Sequence, residues 1–86
     1  MNSLESLCNI GKTLANRLRS VGIQTPEDLR TKGSVRAYLR VQSMTPEKLP
    51  VCYNLYSLEG AIRNKRWTDL SEEDKTSLRK RAGLLE

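Results

Sequence analysis

Helix punctuation constrains this chain more tightly than any other feature. Thr25-Pro26-Glu27-Asp28 sets an N-cap residue, a proline whose fixed φ suits the first helical position, and two acids facing the positive end of the helix dipole. Thr45-Pro46-Glu47 repeats the signal, and Ser71-Glu72-Glu73-Asp74 opens another segment in the same way. Between these starts the apolar residues recur at helical spacing: Leu14, Leu18 and Val21 in one segment, Val51, Leu55, Leu58 and Ile62 in another. The spacing predicts an all-α chain of five or six helices around Leu14, Leu18, Leu55, Leu58 and Ile62, with no sheet. With 86 residues and 37% hydrophobic content there is material for one modest core, so residues 1–86 read as a single small domain.

The first element is short, Leu4 to Cys8, and Asn9-Ile10-Gly11 makes the turn after it, because Asn tolerates left-handed backbone and Gly permits close approach. A helix is expected from Lys12 to about Val21, ended by Gly22, with Ala15 beside its stripe and Lys12, Asn16 and Arg19 on the opposite face. The helix begun at Thr25 stops at Gly33. Ser34 then caps a fourth, with Val35, Tyr38, Leu39 and Val41 inward and Arg36 and Arg40 outward. In the long helix after Pro50, Cys52 and Tyr56 flank the stripe. Gly60 costs that helix roughly 1 kcal/mol relative to Ala, which a close helix crossing would explain. Glu59 falls beside the stripe and needs a partner, either Arg63 one turn on or a base from an earlier helix. Trp67 is expected to close the core with its indole N–H on a carbonyl. Leu78 is the main apolar contact of the last helix, and Arg79, Lys80 and Arg81 suit that helix's negative end.

Charge is unevenly spread within a net +5. Residues 1–42 hold seven bases (Lys12, Arg17, Arg19, Arg30, Lys32, Arg36, Arg40) against three acids (Glu5, Glu27, Asp28), whereas residues 43–86 are nearly balanced. The basic half is the one that meets a polyanion best. The chain has no histidine, and Cys8 and Cys52 stand far apart without a CxxC pair, so the usual zinc constellations are missing and both thiols read as reduced, partly buried small hydrophobes. No nucleophile lies beside a base, and so small a chain encloses no sizeable pocket; neither an enzyme nor a cofactor is indicated. No apolar run is long enough to span a bilayer and the start lacks the order of a signal peptide, which points to a soluble cytoplasmic protein.

The stretch Leu7-x-x-Ile10-Gly11-x-x-x-Ala15-x-x-Leu18, within residues 4–22, resembles a helix-hairpin-helix motif, two short helices joined by a tight turn. The first amides of a helix have no internal partner and point beyond its end, which makes them anion ligands. Gly11 lacks a Cβ to block them, Ile10 plugs the turn into the core, and Ala15 lets the helices pack closely. What the resemblance implies is a cradle for a DNA phosphate made by the backbone of Ile10, Gly11, Lys12 and Thr13, with Lys12 and Arg19 supplying charge and Asn16 on the same face. Asn9 stands where the family often has the first glycine of Gly-x-Gly, and there it either narrows the cradle or supplies its own side-chain amide.

Three further blocks in order, "NIGKTLANRLRSVGIQTPEDLR", "GSVRAYLR" and "LYSLEGAIRNKRWTDLSEEDK", are similar to the C-terminal domain of the TfoX (Sxy) family, bacterial regulators of natural competence whose full members carry an additional N-terminal α/β domain. The resemblance implies an all-α domain associated with control of transcription. The leading functional expectation is a DNA-binding module that makes non-sequence-specific phosphate contacts, since no helix displays a set of Arg, Asn and Gln base readers. The alternative is a protein-interaction module, docking on a transcription regulator or RNA polymerase through the hairpin or the surface around Tyr53, Tyr56 and Trp67.

Overall fold

A computed structural model describes residues 3–46 and 51–83, with side chains of the second stretch described from Asn54 onward. The described residues form five α-helices: α1 (Lys12–Ser20), α2 (Pro26–Lys32), α3 (Ser34–Ser43), α4 (Val51–Arg63) and α5 (Glu72–Arg81). Single 3-10 turns at Leu4–Ser6 and Trp67–Asp69 precede α1 and α5. No strand occurs among the described residues.

The punctuation acts as the physics of caps requires. Thr25 and Asp28 form a reciprocal capping box, with the Thr25 hydroxyl accepting from the Asp28 amide at 3.1 Å and the Asp28 carboxylate accepting from the Thr25 amide at 3.2 Å. Pro26 takes the first helical position, buried. Ser71 caps α5 by accepting from the Asp74 amide at 3.0 Å. At the Thr45 signal the Thr45 hydroxyl donates back to the Val41 carbonyl at 2.8 Å, finishing α3, and the helix start expected after it falls outside the described residues. Glu47 to Pro50 lie outside the described residues, as do the side chains of Val51, Cys52 and Tyr53.

The core joins Leu4, Leu14, Ala15, Leu18, Ile23, Leu29, Ala37, Tyr38, Val41, Leu55, Leu58 and Leu78, with α4 packed against α2, α3 and α5. Each such large aliphatic side chain stabilises the fold by about 1.5–3 kcal/mol on burial, so α4 holds the layers together. Ile62 and Trp67 cover the core's edge, half-buried. Two expectations on α3 are corrected. Gly33, not Ser34, is the N-cap residue, and Ser34 is fully buried with its hydroxyl donating to the Glu59 carboxylate at 2.6 Å. Leu39 faces outward at 42% exposure, because the inner face of α3 is centred on Ala37, Tyr38 and Val41. Ala37, with no exposed surface, has the small side chain that a helix needs to approach its neighbour closely. The buried Tyr38 hydroxyl is pushed above its ordinary pKa by desolvation.

Glu59 is paired as its place on the wheel demands. Its carboxylate accepts from Ser34 and, at 2.5 Å, from Arg63 Nε one turn on, while Arg63 also donates to Asp74 on α5 at 2.9 Å. One acid thus ties the start of α3, the body of α4 and, through Arg63, the first turn of α5.

Candidate nucleic-acid interface

The hairpin's first limb is one 3-10 turn rather than a helix, closed by the Leu7 amide donating to the Leu4 carbonyl at 3.1 Å. Chain reversal falls at Asn9, whose φ of 71° is left-handed, a conformation Asn adopts more readily than other non-glycine residues. Ile10 follows, buried, and α1 begins with Gly11 as its N-cap residue. The Ala15 amide donates to the Gly11 carbonyl at 3.0 Å, so the first helical bond is made while the amides before it project from the helix end without a side-chain cap.

A cleft of about 330 Å³ opens at that end. Gly11, Lys12, Thr13 and Leu14 line it from α1's first turn, Arg17 from the next turn, Asn9 from the reversal and the buried Asn54 from α4. Gly11 is exposed, its φ of −90° and ψ of −177° are ordinary extended backbone, and a Cβ built on it meets no atom within 4 Å. Neither conformation nor packing requires glycine there. Its effect is to leave the amides uncovered.

Asn9 does not offer its amide to the cleft. Its Nδ2 donates to the Lys65 carbonyl at 2.8 Å and the Ser57 carbonyl at 3.4 Å, while its Oδ1 accepts from the Trp67 amide at 3.2 Å and, weakly, from Cys8 Sγ at 3.7 Å. This side chain stitches the hairpin to the end of α4 and the turn beyond it. The same stitch explains Gly60. A Cβ on Gly60 would overlap Asn9 Nδ2 and stand 2.6 Å from the Lys65 carbonyl oxygen. The close approach expected at Gly60 is therefore to a side-chain amide and a loop carbonyl, not to a crossing helix.

Asn16 and Arg19 lie on the other flank of α1 and do not line the cleft. The Arg19 guanidinium grips Glu5 with both terminal nitrogens, Nη1 to Oε2 at 3.0 Å and Nη2 to Oε1, and donates to Asn16 Oδ1 at 3.2 Å. Hydrogen bonding to Arg19 holds the Glu5 carboxyl below its usual range and raises the Arg19 pKa in return. The pair fastens the first 3-10 turn to α1. Arg17 is the base that faces the cleft instead, one turn after Thr13 and so on the same helix face. That i, i+4 relation was the available signal. Which flank it marks depends on where α4 packs. Neither Lys12 nor Arg17 makes a direct ion pair among the described residues, although the Lys12 charge adds to the lowering of the Glu5 pKa that the Arg19 hydrogen bond dominates.

The aromatic surface around Tyr56 and Trp67 is mostly interior. Tyr56 is buried, Trp67 stacks on it with centroids 6.4 Å apart, and Lys75 Nζ lies 5.7 Å from the Trp67 ring centroid and 5.8 Å from that of Tyr56. Among the described residues no group of His, Cys, Asp and Glu is placed to hold a metal ion, Cys8 is half-buried and free, and no helix is long and apolar enough to cross a membrane.

The pattern of the TfoX C-terminal domain family matches residues 1–82. Two crystal structures from Listeria monocytogenes have the same fold. One, an uncharacterized protein in a triclinic form, is 39% identical with a TM-score of 0.84 over 92% of this chain and 88% of its own. The other, a protein of unknown function in a tetragonal form, is 40% identical with a TM-score of 0.84 over 96% of this chain and 100% of its own. No curated protein matches.

Proposed function

The chain belongs to the TfoX C-terminal domain family, and from that premise we propose that it is a small DNA-contacting, transcription-associated module of the bacterial cytoplasm that holds backbone phosphates at the start of α1. The observation that carries this reading is Gly11: a glycine that neither backbone strain nor crowding requires, at an uncapped helix start that opens on a cleft with Lys12 and Arg17. A Ser, Asp or Thr there would cap α1 better, by a few tenths of a kcal/mol. Forgoing that cap leaves three amides and a positive helix end for an external anion. Contacts of this kind are to phosphate and carry no base information, so binding is weak and indifferent to sequence. Family membership supports, as part of the same proposal, a regulatory setting such as competence for this contact.

The test sets stability against binding. Gly11→Asp supplies the missing cap and complements the dipole, so it unfolds no more easily than wild type, yet it puts a carboxylate where the phosphate belongs and abolishes binding. Fluorescence anisotropy of labelled duplexes across a salt series, with thermal melts of both proteins, reads both quantities. With about two to four phosphates neutralised, log affinity falls against log salt with a slope of about −0.9 per phosphate. If wild type fails to bind duplex at low salt, or folded Gly11→Asp binds as well as wild type, the hairpin is a structural joint.

A further inference from the structure

We infer that the outer face of α3 docks an acidic, amphipathic helix of a protein partner, at a surface separate from the α1 cleft. Leu39, 42% exposed, and Met44, 68% exposed, are the exposed large hydrophobic residues of the described chain, and both belong to α3 or its C-cap. Arg36 and Arg40 lie one turn apart on the same helix, both exposed and without an acidic partner among the described residues. Like charges at this spacing oppose the helix that carries them. An apolar pair beside two arginines with no ion-pair partner among the described residues asks for a partner offering carboxylates and apolar surface together.

Beside this face, Val21 and Ser20 at the end of α1 meet Arg40, Ser43 and Met44 at the end of α3 around a cleft of about 230 Å³. That is below the size of a ligand pocket and suits one side-chain anchor. Its electrostatics separate it from the phosphate site. Two helix C-termini converge on it, each carrying partial negative charge. Both serine hydroxyls already donate within their helices, Ser20 to the Arg17 carbonyl at 2.6 Å and Ser43 to the Arg40 carbonyl at 2.7 Å. A nucleic-acid backbone would meet carbonyl ends and leave Leu39 and Met44 uncovered. A partner helix places an apolar side chain in the cleft and sets its carboxylates against Arg36 and Arg40.

The probe is a fluorescein-labelled synthetic amphipathic peptide with leucines on one face and glutamates flanking them, compared with a copy carrying lysine for glutamate. The acidic peptide binds the wild-type chain, shifts the amide resonances of α3 and the end of α1, and the lysine copy does not bind. Arg36→Glu with Arg40→Glu, and separately Met44→Asp, weaken binding roughly tenfold or more, as loss of paired charges or of the apolar anchor requires. These side chains are exposed, so circular dichroism of the variants stays that of wild type. Lys12→Glu, in the other cleft, leaves peptide binding unchanged. The inference is overturned if the acidic peptide fails to bind or binds the variants equally well. It is also overturned if duplex DNA shifts the α3 resonances, which would assign the face to nucleic acid, or if those resonances shift with protein concentration, which would assign it to a second copy of the chain.

Discussion

Gly11 and Gly33 occupy equivalent positions in two hairpins and do opposite things. Each is an N-cap residue, each accepts the first helical bond through its carbonyl, from Ala15 at 3.0 Å and from Ala37 at 3.1 Å, and each of those alanines is fully buried. At Gly33 the glycine answers to the backbone: its φ of 87° and ψ of 157° fall in a region reserved for glycine. The helix behind it is supplied with an anion from within, the Glu59 carboxylate on Ser34. At Gly11 the backbone is ordinary, and among the described residues no carboxylate makes a direct ion pair or hydrogen bond in the first turn. The contrast teaches that a Gly-start motif has two physical meanings. A glycine held by its own conformation marks a structural joint, and one held by nothing local leaves its helix start open.

The largest effect expected concerns the support beneath the open hairpin. Asn9→Ala removes the stitch to Lys65 and Trp67, takes the Asn9 partner from a part-buried carbonyl and amide, and puts alanine in left-handed backbone, a loss of about 3 kcal/mol. Urea unfolding followed by Trp67 fluorescence measures it; a change below about 1 kcal/mol, the worth of one ordinary hydrogen bond, would show that the hairpin does not depend on α4. Gly60→Ala should fall in the same direction despite alanine's better helix propensity, because its Cβ collides with the stitch.

Next comes the direct comparison. Gly33→Ala forces a Cβ into the glycine region and costs about 2 kcal/mol, whereas Gly11→Ala, with no strain and open space, loses only glycine's advantage over alanine as an N-cap, about 0.5–1 kcal/mol. Thermal melts of the two variants decide it. Equal losses would erase the distinction between joint and opening.

A smaller effect separates the two flanks of α1. Arg17→Glu should flatten the salt dependence of duplex binding by about 0.9 in slope, the share of one phosphate. Arg19→Glu should leave that slope nearly unchanged while loosening the Glu5 contact. If Arg19 carries the slope and Arg17 does not, the cleft has been assigned to the wrong flank.

The smallest effect is on acid stability. Glu5 has a lowered pKa through Arg19; in Asp74 burial pushes the pKa up, but Arg63 and Ser71 outweigh it and the net shift is downward. A carboxyl with a lowered folded-state pKa contributes stability above its unfolded value, near pH 4, and loses it as pH falls through the folded one. Glu5 is exposed and Asp74 only half-buried, so the loss is modest. Melting temperatures between pH 5 and pH 2.5 should decline less steeply for Glu5→Gln than for wild type. Parallel curves would mean the Arg19 pair adds nothing.

What the sequence determined by itself is what a few neighbouring residues decide. The capping box at Thr25, the Ser71 cap, the reversal at Asn9, the pairing of Glu59 with Arg63 and the buried faces of α1 and α4 depend on backbone preference and on contacts within one or two turns. So did the placement of an open helix start at Gly11. Tertiary structure decided what each of those elements faces. Asn9 turns inward because its partner carbonyl, Lys65, lies 56 residues along the chain. Arg17 rather than Arg19 reaches the cleft because Asn54 of α4 forms the cleft's wall on that flank, while Glu5 takes Arg19 on the other. Leu39 turns outward because Ala37 packs inward. A helical period tells which residues share a face, but only the neighbours assembled from distant parts of the chain tell which face is covered, and that choice sets where the free cations stand.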